Sequence, residues 1–179
     1  MLTRVHRKTS SGETVGSVEG GSSGYTARLD RALSRGDDLV ARIGRGGYGV
    51  DITGHRPEHL LTVDMFLGES FRRDVTQNKK RYVNAIYSVG GYLGEVFVRN
   101  LGGFWHFPDA LQTLLLFVSL NPAIRAERYF YVVVGGQKVH VFAAAREGID
   151  RTSKEFSLSE FYQGWARYLK AKPFPPNIR

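Results

Sequence analysis

The run from Gly90 to Trp105, Gly-Gly-Tyr-Leu-Gly-Glu-Val-Phe-Val-Arg-Asn-Leu-Gly-Gly-Phe-Trp, constrains the fold more than any other part of the chain. It ends a longer helical pattern in which Tyr82, Ile86, Val89, Leu93 and Phe97 recur every three or four residues. Gly90 and Gly94 lie four apart and therefore share a face. Glycine inside a helix costs about 1 kcal/mol relative to alanine. The usual offset is close approach of another backbone, so a helix or sheet is expected against this groove. The spacing predicts a long helix over 79–101, ended by Gly102-Gly103 in a left-handed cap, with Trp105 entering the first strand.

Two charges interrupt this apolar run. Glu95 and Arg99 are four apart with the glutamate first, the favourable order for a helical ion pair. Their apolar neighbours imply partial burial, and a buried carboxylate needs hydrogen bonds or its pKa rises. Glu95 is therefore read as a latch that fastens the glycine-capped turn or a neighbouring strand to the helix. It is also the one catalytic candidate, as an acid/base beside Trp105 and Tyr92. No other catalytic residue is assigned.

After the glycines the period becomes strand-like. Residues 104–107, 113–120, 128–134 and 138–144 read as four strands, with Gly135-Gly136-Gln137-Lys138 as a hairpin turn. Short connections suggest an antiparallel meander. Upstream, Leu29, Ala32 and Leu33 mark a short helix, residues 39–43 a short strand, and Pro57 the first turn of a helix continuing to Leu67. Residues 74–78 break that pattern. Ser157 and Glu160 form a capping box for a last helix with a wide stripe of Leu158, Phe161, Tyr162, Trp165, Tyr168 and Leu169. The expected fold is α+β: a meander of about four strands on a long central helix, with further amino-terminal and carboxy-terminal helices. Residues 1–24 read as a flexible or partner-bound tail, 25–172 as one domain and 173–179 as an extended tail.

Composition narrows the function classes. The chain of 179 residues has no cysteine, which excludes disulfides, thiolate chemistry and cysteine-ligated zinc. No apolar run reaches the roughly 18–20 residues that span a bilayer, and no secretory signal is read, so a cytoplasmic protein is expected. A net charge of +8 favours acidic partners. Arg72, Arg73, Lys79, Lys80 and Arg81 form the one dense basic cluster and the candidate nucleic-acid contact. Tyr129 and Tyr131, near Phe130, His140 and Phe142, form an aromatic hairpin read as a second binding element, without an RNP-type pattern.

Other motifs fail on context. Gly44-Arg45-Gly46-Gly47-Tyr48-Gly49 matches G-x-G-x-x-G, yet no helix follows it directly, because residues 53–57 break one. His55, Glu58 and His59 have the spacing of an inverted zinc motif, but Pro57 divides the histidines and a third ligand is not evident. No G-x-S-x-G occurs. No metal and no cofactor are assigned.

The segments Gly91-Tyr92-Leu93-Gly94-Glu95 and Arg99-Asn100-Leu101-Gly102-Gly103, with Trp105, resemble a group of uncharacterised bacterial domains with a G-Y-L-G-E…N-x-G-G-x-W core. Val50-Asp51-Ile52-Thr53 and Leu60-Leu61-Thr62-Val63-Asp64 look like the short acidic strand and L-x-x-x-D helix that precede that core. The resemblance covers residues 51–120. It implies a small interaction module, of immunity or accessory type, with no inherited active site. The expected function is thus binding of another protein, acidic or a second copy, through the tail, the basic cluster and the aromatic hairpin. Nucleic-acid binding and catalysis by Glu95 are the alternatives.

Overall fold

A computed structural model describes residues 39–41, 43, 50–106, 129–150 and 156–171. Their order is α1 (His59–Phe66), α2 (Glu69–Thr76), α3 (Lys79–Leu101), β1 (Phe104–His106), β2 (Tyr131–Val134), β3 (Gln137–Val139), α4 (Val141–Asp150) and α5 (Leu158–Ala171). The fold is α+β, built on the long helix α3. The tails, the helix expected near Leu29 and Leu33, the glycine run 44–49 and the strand expected at 113–120 lie outside the described residues.

Helix α3 begins and ends where local chemistry dictates. The Asn78 side chain accepts hydrogen bonds from the amides of Lys80 and Arg81 at 2.9 and 3.1 Å, supplying partners that the first turn lacks internally. At the other end Gly102 adopts φ 66°, a left-handed cap that disfavours a Cβ.

The sheet holds three described strands, not four, in the antiparallel order β1-β2-β3. Register aligns Trp105 with Val132 and Val132 with Val139, so these three share one face. Gly135 and Gly136, both at positive φ, close the two-residue hairpin between β2 and β3. The expected strand at 138–144 stops at Val139, and Val141 starts α4. Its apolar run is ambiguous by period. Burial of Val141, Ala144, Ala145, Gly148 and Ile149 follows a helical repeat. The same ambiguity explains residues 39–41 and 43, which are helical in place of the expected strand. Residues 50–53, likened to a short acidic strand, form no strand and lead into a turn at Thr53 and Gly54. The expected break at 74–78 shifts too. Gly68 separates α1 from α2, and α2 runs through Thr76, whose hydroxyl donates back to the Arg72 carbonyl at 2.8 Å.

The core lies where α3 meets the sheet, α4 and α5. The glycine groove on α3 receives two aromatic rings rather than another backbone. A Cβ on Gly90 would overlap Phe142 of α4, and one on Gly94 would overlap Trp105 of β1. The two rings pack 5.9 Å apart. Tyr82 adds a polar tie from α3 to α4, its hydroxyl donating to the Asp150 carboxylate at 2.7 Å. Helix α5 leans on Phe97, whose ring meets Tyr162 at 5.1 Å and Phe161 at 6.0 Å.

The start of α5 is organised by a distant acid. Asp64, on α1 and only 8% exposed, accepts from the Leu158 amide at 2.8 Å, the Ser159 amide at 3.0 Å and the Ser157 hydroxyl at 2.7 Å. Ser157 Oγ accepts from the Glu160 amide at 3.2 Å. The amides of Leu158, Ser159 and Glu160 are thus all satisfied, with a carboxylate at the positive end of the helix dipole.

Candidate interaction surface

Glu95 lies between α3 and β1. Its Oε1 accepts from the Trp105 indole nitrogen at 3.1 Å, and its Oε2 pairs with Arg99 Nε at 3.3 Å. The Glu95 side chain is 13% exposed and that of Arg99 44%. The structure therefore brings Gly94, Glu95, Arg99 and Trp105 together, with the acid holding the indole that fills the Gly94 notch. Glu95→Gln keeps an acceptor for the indole, so its unfolding free energy should change by under about 0.5 kcal/mol. Glu95→Ala leaves the indole nitrogen without it and should lose about 1–2 kcal/mol. Urea denaturation separates the two, and equal losses would show that the indole bond contributes nothing.

A second set of contacts pins residues 51–56 to α3. Tyr92 is fully buried and donates to the Ile52 carbonyl at 2.9 Å. Burial raises its pKa above the ordinary 10.0, so the hydroxyl stays a donor. His55 stacks on the Tyr92 ring at 4.7 Å and holds φ 50°, a strained value for a side chain of this size. Its Nδ1 donates to the Thr53 carbonyl at 2.7 Å, and its own carbonyl accepts from Asn100 at 2.8 Å. Asp51 closes the turn by accepting from the Thr53 amide at 2.9 Å, which lowers its pKa. Among the described residues no group of three metal-ligating side chains is brought together, His55, Glu58 and His59 included.

The basic cluster is divided between two helices. Arg72 and Arg73 are on α2, while Lys79, Lys80 and Arg81 occupy the first turn of α3. Arg73 pairs with Glu69 at 2.8 Å and Arg81 with Asp74 at 2.6 Å. Arg72 is half-buried. Lys79 and Lys80 remain exposed, with no ion pair among the described residues. Of the hairpin aromatics, Tyr131 is buried, stacked on His106 at 4.3 Å with Lys138 Nζ 5.1 Å from its ring centre, and Tyr129 is half-buried.

Among the described residues the exposed large aromatic is Tyr168, on α5. Phe161 and Trp165 are half-buried and packed against the core, and Tyr168 is 40% exposed. Trp165 lies nearly in line with Leu158, and Phe161 and Tyr168 flank that buried face. With Glu160 and Gly164 they line a shallow, largely apolar depression of about 460 Å³. A Cβ on Gly164 would meet nothing within 4 Å, so the glycine leaves a gap in the stripe. Trp165 and Tyr168 pack edge to face at 5.7 Å. The sequence holds a signal for this face. Its apolar stripe is wider than one packing face requires, with Gly164 beside its outer edge. No family model, curated protein or solved structure matches the chain.

Proposed function

We propose that the protein is a non-enzymatic protein-binding module whose contact face is the aromatic side of α5, serving as an immunity, adaptor or accessory component of a larger assembly. The supporting observation is the shallow depression that half-buried Phe161 and Trp165 and exposed Tyr168 line beside the open Gly164. Singly exposed apolar residues are ordinary on any surface. Tryptophan and tyrosine adjoining a shallow gap on one helix face are the residue types that dominate binding energy at interfaces. The resemblance of the glycine-framed core to a group of uncharacterised bacterial domains would imply an interaction role as well. The nucleic-acid alternative is weakened because Arg73 and Arg81 are engaged by acids, and the catalytic alternative because Glu95 already holds Trp105 and Arg99.

Site-specific photocrosslinking in the full chain tests the reading. A benzophenone side chain at position 168 should capture a protein in high yield, and the yield should fall at least fivefold when Trp165 is also changed to Ala. The same probe at position 138, on the hairpin, should capture little. Equal yields at the two positions, or capture of nucleic acid alone, would overturn it.

A further inference from the structure

The α5 face carries a charge pattern that specifies its occupant. Phe161, Gly164 and Tyr168 follow a three-then-four spacing, the seam of a helix that packs along another helix. Glu160 and Arg167 are seven apart, so they lie on the same edge of that seam with opposite signs. Both are exposed, and neither forms an ion pair among the described residues. Gly164 lies between them, four residues after Glu160 and three before Arg167.

A second α5 laid antiparallel across Gly164 places Glu160 of each copy beside Arg167 of the other. In antiparallel helix pairs the same edges meet, so one two-fold axis makes both ion pairs at once. In a parallel pair opposite edges meet, so neither Glu160 nor Arg167 would face its opposite charge. The glycine at the axis lets the helices approach closely, leaving room for the flanking rings to interdigitate. We propose that a second copy of this chain occupies the face, forming an antiparallel α5–α5 dimer centred on Gly164; this rests on the binding-module reading above and names its partner. A helix of 14 residues is about 21 Å long. Such a seam is shorter than a permanent interface requires, so the dimer is a concentration-dependent one.

Sedimentation equilibrium on the full chain tests the pairing through charge exchange. Glu160→Arg alone and Arg167→Glu alone should each weaken dimerisation at least tenfold. An equimolar mixture of the two should restore it as a heterodimer, since both cross-pairs regain opposite signs. The variant carrying both changes should dimerise like the parent. Glu160 also favours the first turn of α5, so circular dichroism must show the helix intact. Gly164→Lys gives an independent check. It should leave the melting temperature of the dilute protein equal or higher, because lysine is the better helix former, yet abolish the dimer by setting two cations together at the axis. A dimer indifferent to all these changes overturns the proposal. So does a strictly monomeric parent: if position 168 still crosslinks a different protein, the binding-module reading survives, and if it captures nothing, both fail.

Discussion

Gly94→Ala is expected to destabilise the protein by about 3 kcal/mol, although the same change in an ordinary helix interior would stabilise it by about 1 kcal/mol. The added methyl would overlap the far edge of the Trp105 indole. That ring packs against Phe142 at 5.9 Å and is tied through its nitrogen to Glu95. Moving it would disturb both contacts, and overpacked cores lose about 1–3 kcal/mol or more. Gly102→Ala provides the contrast. Nothing lies within 4 Å of its Cβ position, so only the left-handed backbone at φ 66° opposes it, at about 1 kcal/mol. Trp105→Phe removes the indole atoms that the new methyl would strike. The Gly94→Ala, Trp105→Phe double-mutant cycle should therefore show a favourable coupling of about 2 kcal/mol by urea denaturation. If Gly94→Ala is neutral or stabilising, the ring does not occupy the notch.

Asp64→Ala is the second large effect, with an expected loss of about 3 kcal/mol. Its carboxylate accepts from three donors at the start of α5, two of them backbone amides, in a site that is 8% exposed. Hydrogen bonds to a charged acceptor contribute about 1.5–3 kcal/mol, and removing one partner strands buried donors. Asp64→Asn retains an acceptor oxygen but gives up the charge at the helix dipole, so about half the loss is expected. Ser157→Ala should cost about 1 kcal/mol, the ordinary value for a cap. Far-UV circular dichroism through the urea transition checks the order. A loss from Asp64→Ala no greater than that from Ser157→Ala would reduce the acid to a bystander.

These two residues also mark what is legible in the sequence. The bounds of α3 follow from short-range signals, the Asn78 cap, the three-to-four apolar repeat and the terminal glycines, and the structure reproduces them. The Gly135-Gly136 hairpin is equally local. The groove at Gly90 and Gly94 is visible in the sequence, but its occupants are not, because a glycine pattern specifies space and not what fills it. Asp64 looks like an ordinary helical acid, since its donors lie 93 to 95 residues away. The strand expected through Ala144 fails because an apolar run beside a hairpin satisfies both periods, and packing against α3 decides between them. At the candidate surface the stripe on α5 is written in the sequence. The burial of Tyr131 and the ion pairs of Arg73 and Arg81 depend on tertiary placement.

The two rings set in α3 have a consequence for the order in which the chain can acquire structure. Three glycines lie inside that helix, Gly90, Gly91 and Gly94, and each weakens it as an isolated segment. A central helix of this length would ordinarily form early from local contacts alone. Here its middle becomes firm only when Trp105 and Phe142 arrive, and Phe142 is 52 residues beyond Gly90. On a growing chain, the glycine-bearing middle of α3 therefore lacks both ring contacts until β1 and α4 have been synthesised. The element that organises the finished fold takes its central packing from sequence that follows it.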